Sequence, residues 1–145
     1  MAIELQPEYG YVIASIAATN FVVQYMAGQV GAARKRYGVP YPKMYMEGDS
    51  YDARTFNCIQ RVHQNTAESA PLVMVTNAVL GVVHPITASV LMAAYLVGRL
   101  VYSKGYSTGR PKNRMPGVLI SWTAWLASAC VAVYAGIART GMLSK

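Results

Sequence analysis

Four stretches, roughly Tyr9 to Val30, Phe56 to Val83, Pro85 to Tyr106 and Pro116 to Ala138, are almost continuously apolar. Each has close to the ~20 residues that cross the hydrocarbon core of a bilayer. Together they take up nearly the whole chain. Backbone amides in lipid must be satisfied within a helix or around a closed barrel, and barrel strands would give shorter, alternating runs, so these segments predict helices. The expected fold is all-α: one integral membrane four-helix bundle over residues 1–145, with helices at about 9–36, 55–83, 85–106 and 115–139. Pro85 and Pro116 fall near helix starts, where a missing amide costs nothing. Pro71 lies inside the second helix and is expected to kink it.

Only 13% of residues are charged against 54% hydrophobic, which is far from the composition of a soluble domain. The formal charge of +7 would suit a nucleic-acid binder, but the cations are not spread along an exposed helix face among aromatics, so membrane lipids and no nucleic acid are expected as partners. Arg34, Lys35, Arg36, Lys43 and Arg54 sit in or beside the first connector, and Lys104, Arg110, Lys112 and Arg114 in or beside the third. The second, around "GVVHP", has none. Nine of the 13 basic residues thus belong to one side, which the positive-inside rule makes cytosolic, with both termini lumenal. "MAIELQPEYG" lacks the basic start and small-residue cleavage site of a signal peptide, so the first apolar segment is expected to stay. Cys58 and Cys130 show no metal or redox spacing, and His63 and His84 lie at opposite ends of one helix, so no metal is expected.

Within this apolar background two polar rows stand out. On the second helix Asn57, Arg61, Asn65 and Glu68 fall within an arc of about 80°, and on the third Tyr95, Arg99, Tyr102 and Tyr106 share a narrower one. A charge at mid-membrane costs roughly 2.5–3.5 kcal/mol even on the lenient insertion scale. In the plainest reading Arg61 and Glu68 brace the bundle, Arg99 snorkels and the tyrosines form an aromatic belt. That reading leaves more converging hydrogen-bonding groups than mutual compensation requires. Guanidinium forks take carboxylates, a glutamate takes an ammonium and an asparagine takes a peptide group, so the rows suit a small zwitterionic, polyanionic peptide or amino acid.

Several motifs then converge on one family: "EYGYV" at 8–12, "ARKRY" at 33–37, the tyrosine-proline and methionine-tyrosine pairs of "YPKMY" at 41–45, "FNCIQRVHQNTAE" at 56–68, "HPITAS" at 84–89 and "VGRLVYSKGYSTGRPKNR" at 97–114. In these the chain resembles the membrane-associated proteins in eicosanoid and glutathione metabolism, the MAPEG family, along nearly its full length. The resemblance implies a homotrimer with glutathione as co-substrate, held between neighbouring subunits near the cytosolic face, in a membrane expected to be the endoplasmic reticulum. It implies glutathione contacts for Arg61, Asn65, Glu68, Tyr102 and Tyr106, with Arg34 and His63 reaching the neighbour's site, and Lys35 as a secondary candidate.

Arg114 stands at the family's thiol-activating arginine, with Arg110 and Lys112 as rivals in the same loop. The chemistry asked of it is simple, because a free thiol of pKa about 8.5 is mostly protonated at neutral pH and a guanidinium favours the nucleophilic thiolate. Ser69 replaces a glutathione-contacting tyrosine of the leukotriene-C synthases, and Lys35 replaces an arginine. Both departures point to a transferase branch. The activity so implied is glutathione transfer to lipophilic electrophiles and reduction of lipid hydroperoxides, with leukotriene-C synthesis as a further possibility. The competing expectation is a non-catalytic lipid-binding scaffold like the family's lipoxygenase-activating member.

Overall fold

The computed structural model describes residues 5–142. Four helices follow one another: α1 (Tyr9–Tyr37), α2 (Tyr51–Val83), α3 (Pro85–Tyr106) and α4 (Met115–Arg139), with a short 3₁₀ turn, Pro111–Arg114, ahead of α4. All four are long and apolar enough to cross a membrane, α4 together with its preceding turn, and no strand occurs among the described residues. Their outward faces carry Ile13, Phe21, Val75, Val90, Leu119 and Leu126, all largely exposed. A soluble bundle would place polar groups there, whereas these faces suit lipid or another apolar surface. The protein is integral to a membrane.

The helix ends follow local chemistry. α1 stops at Gly38, whose φ of +64° closes the helix in the left-handed region while its amide bonds to the Arg34 carbonyl. α2 begins at Tyr51, ahead of the expected residue 55, because Ser50 Oγ caps the Ala53 amide at 3.0 Å and Asp52 complements the helix dipole. It runs unbroken through Pro71, which removes one amide from the ladder. His84 alone separates α2 from α3: its amide closes α2 on the Leu80 carbonyl, its carbonyl accepts from Ala88, and Pro85 opens α3.

Packing of small layers holds the bundle together. Val12 and Leu80 meet Ala88 at the end with the α2–α3 turn, Val73, Met92 and Leu96 meet Ala124 in the middle, and Met26, Cys58 and Val62 meet Tyr102 and Tyr106 toward the other end. That other end gathers both long connectors and the nine clustered basic residues. Tyr51 Oη donates to the Thr108 carbonyl at 3.1 Å there, tying the connectors together.

The α3–α4 seam is the tightest. A Cβ on Gly98 would lie 2.5 Å from the Ser121 amide nitrogen, and one on Gly117 only 2.1 Å from that of Tyr102. Both positions therefore require glycine, as in other membrane helix pairs whose backbones touch. This contact sets the Arg99 and Tyr102 side of α3 against the start of α4.

Candidate functional site

Where α2, α3 and α4 meet at the basic end, a cleft of about 230 Å³ is lined by Arg61 and Asn65 from α2, Arg99, Tyr102 and Tyr106 from α3, and Arg114, Met115, Val118 and Trp122 around the start of α4. It adjoins a second cavity of about 250 Å³, sharing Asn65, Arg99 and Trp122 with it. That cavity adds Glu68 and Ser69 with the apolar groups of Leu72, Val73 and Trp125. A polar compartment thus lies against a more apolar one deeper along the bundle. Arg61 lies ten residues into α2, about 15 Å along its axis at 1.5 Å per residue.

Arg99 organises the centre. It is 3% exposed, its Nε donates to Thr66 Oγ1 at 3.1 Å and its Nη2 to Asn65 Oδ1 at 3.1 Å, and Nη2 also meets Thr66 Oγ1 closely. The guanidinium carbon stands 4.2 Å from the centre of the Tyr102 ring. Tyr102 packs edge-on against Tyr106, 5.5 Å between centroids, and the Arg114 guanidinium carbon lies 4.9 Å from the Tyr106 ring centre. Two arginines from different elements are therefore held by adjoining rings. Among the described residues the single ion pair joins Lys43 to Glu47 at the surface, so Arg61, Arg99 and Arg114 have no carboxylate partner there.

The lining of the cleft therefore concentrates three cations, two phenols and an amide and holds no carboxylate, with Glu68 in the adjoining cavity. The Asn65 amide oxygen is already taken by Arg99, which leaves its NH₂ to donate to whatever enters. Ser69 adds a local solution of its own: its hydroxyl lies 2.9 Å from Tyr95 Oη, so a phenol from α3 fills the place opposite this small residue.

Of the residues singled out in the sequence, Arg61, Asn65, Tyr102, Tyr106 and Arg114 come together in this cleft and Glu68 lines its extension. Arg110 and Lys112 are exposed and line neither cavity, whereas Arg114, half-buried at the end of the 3₁₀ turn, points into the first. Arg34 lies elsewhere: its Nη1 donates to the Lys43 carbonyl at 2.6 Å and its guanidinium covers the Tyr41 ring at 4.4 Å. With Lys35 it borders a separate hollow beside Gly28 and Gly31 on the open face of α1. His63 is half-buried and lines neither part of the cleft. Within one copy of the chain, then, Arg34, Lys35 and His63 are not brought to the other six.

In the sequence Arg99 stands on a polar row, among the guanidinium forks that suit a ligand's carboxylates, but the resemblance gives it no glutathione contact. The signal was its position one turn before Tyr102, and its full burial could not be read from one helix. Trp122 and Met115 were missed altogether, because an apolar side chain at the start of a membrane helix is indistinguishable from lipid-facing residues until α3 is placed against it.

A family model described as the MAPEG family matches residues 12–134 of the chain. The matched span holds every residue of the cleft and of its apolar extension.

Proposed function

The chain belongs to the MAPEG family, and from that premise we propose that it is a glutathione transferase and peroxidase of the branch of microsomal glutathione transferase 3. Family membership carries a role in glutathione or eicosanoid metabolism. The observation that supports the finer reading is the convergence of Arg61, Arg99 and Arg114 on one cleft without an ionic partner among the described residues. Arg99 is buried and Arg114 half-buried; guanidinium groups so placed in a membrane protein need an anion, and the carboxylates of glutathione supply it.

In this reading Arg61 and Arg99 bind carboxylates, Asn65 donates its NH₂ to a peptide carbonyl, and Glu68 accepts from the α-ammonium. Tyr102 and Tyr106 orient the peptide, and Arg114 holds the sulfur as thiolate by its fixed charge. The thiolate attacks an electrophilic carbon reached through the apolar extension beside Trp122 and Trp125, forming a carbon–sulfur bond as the leaving group or opened ring takes the electron pair. With a hydroperoxide it attacks the distal oxygen, cleaving the oxygen–oxygen bond to give an alcohol and a sulfenic acid that a second glutathione converts to disulfide and water. Leukotriene-C synthesis is the same carbon–sulfur chemistry on a fatty epoxide.

Arg34, Lys35 and His63 enter the proposal through assembly. In a homotrimer around an axis normal to the membrane, one copy's α1 faces its neighbour, which lets Arg34 and His63 approach a site from which they are separate in a single copy. The endoplasmic reticulum, with the basic connectors cytosolic, is the proposed location.

The test is turnover of purified protein with glutathione against an epoxide, a reactive aryl halide and a fatty-acid hydroperoxide. Turnover of at least one class is expected. Bound fatty acid with no turnover of any would favour a lipid-binding scaffold and overturn the enzyme reading.

A further inference from the structure

The connector between α1 and α2 carries more than topology charge. Asn57, on the same row as Arg61, turns its amide outward: Oδ1 accepts from the Met46 amide at 2.8 Å and Nδ2 donates to the Met46 carbonyl at 2.9 Å. This two-bond clamp fixes Met46 against α2 and with it the preceding residue. Tyr45 Oη then donates to Gln64 Oε1, and Gln64 Nε2 donates to Glu68 Oε1 at 3.0 Å.

Donor and acceptor types fix the sense of this chain. A carboxylate only accepts, so the Gln64 NH₂ donates to Glu68, and the Tyr45 hydroxyl donates its one proton to the Gln64 oxygen. The relay therefore runs in one direction, Tyr45 to Gln64 to Glu68, with each dipole reinforcing the next. It ties the connector to the carboxylate lining the extension of the cleft. Without it, Glu68 would be a long, exposed side chain free to sample several rotamers.

We propose that Tyr45, held against α2 by the Asn57–Met46 clamp, is a positioning residue that aims Glu68, through Gln64, at the ligand of the cleft. The inference rests on the glutathione reading of that cleft. It gives the connector a share in ligand affinity: Tyr45 acts on the bound peptide through two other side chains and leaves the sulfur to Arg114.

The experiment uses the full chain purified in detergent, with glutathione and one aryl halide. Tyr45→Phe removes only the hydroxyl, and loss of the one hydrogen bond that orients Gln64 and Glu68 should raise the KM for glutathione about fivefold. The expected kcat and the KM for the aryl halide stay within about twofold, because the carbon–sulfur step is not touched. Tyr51→Phe, which deletes a comparable bond to the Thr108 carbonyl, should leave all three values unchanged. Asn57→Asp, which loses the donor half of the clamp, should move the glutathione KM in the same direction as Tyr45→Phe. In the double variant with Glu68→Gln the two losses should be less than multiplicative. An unchanged glutathione KM in Tyr45→Phe, or fully multiplicative losses with Glu68→Gln, would overturn the proposal while leaving the glutathione site standing. Wild-type protein that binds no glutathione in calorimetry would overturn both.

Discussion

Arg99 on α3 donates a 3.1 Å hydrogen bond to Asn65 Oδ1 on α2, and this bond joins the two polar rows. An arginine so placed holds the helices together and presents charge to the cleft. Replacing it with lysine keeps the charge but not the fork that reaches Asn65 and Thr66 together. Arg99→Lys is expected to weaken glutathione binding at least about tenfold, as measured by calorimetry. Arg99→Met should also lower the midpoint of thermal unfolding, since Thr66 and Asn65 then lose their partner.

The glycine seam makes a stability prediction. Gly117→Ala places a methyl 2.1 Å from the Tyr102 amide nitrogen, so α3 and α4 must separate. A drop of several degrees in unfolding midpoint is expected, together with weaker glutathione binding, because Tyr102 moves with its backbone. Gly136→Ala, on the same helix but with nothing within 4 Å of the new atom, should leave both unchanged.

Ser69 yields a prediction that runs against simple family logic. Installing the tyrosine of the leukotriene-C synthases should add a ligand contact, but here Tyr95 already meets Ser69 at 2.9 Å. Ser69→Tyr is expected to displace Tyr95 and reduce turnover, measured as kcat/KM with an aryl halide. Increased turnover would mean that the two rings can coexist.

Sharing of sites between copies is testable by mixing. Arg34→Ala and Arg61→Ala chains should each be impaired. Co-assembled at equal amounts, they should regain about a quarter of wild-type sites, since independent mixing in a closed ring pairs an intact Arg34 with a neighbour's intact Arg61 that often. No recovery beyond the average of the two variants would place Arg34 outside the neighbour's site.

The four helices and the two polar rows were legible because both are periodic: length marks a membrane helix, and spacings of three and four mark a face. Arg61, Asn65 and Glu68 could be grouped on that basis. What the period of one helix cannot give is the facing of another. The burial of Arg99, the lining by Trp122 and the meeting of Tyr95 with Ser69 all depend on the approach of α3 to its neighbours, set in part by Gly98 and Gly117. The Tyr45–Gln64 contact was further out of reach, since a connector has no repeat and its path is fixed by single bonds such as those of Asn57. The early start of α2 at Tyr51 was signalled by the Ser50 cap and Asp52, but the expected start followed the apolar run that begins at Phe56.

The proposed role of Arg114 in keeping bound glutathione as thiolate is measured directly by the ultraviolet thiolate absorbance of purified protein on adding glutathione across a pH series. A fixed positive charge favours the anion, so the titration should lie below the free-thiol value of about 8.5, and absorbance should already be present at neutral pH. Arg114→Ala should still bind glutathione, with its titration moved up toward the free value and turnover at neutral pH lowered by about tenfold or more, matching each unit of pKa regained. The same depressed titration in wild type and Arg114→Ala, or no thiolate in either despite bound glutathione, would contradict the account.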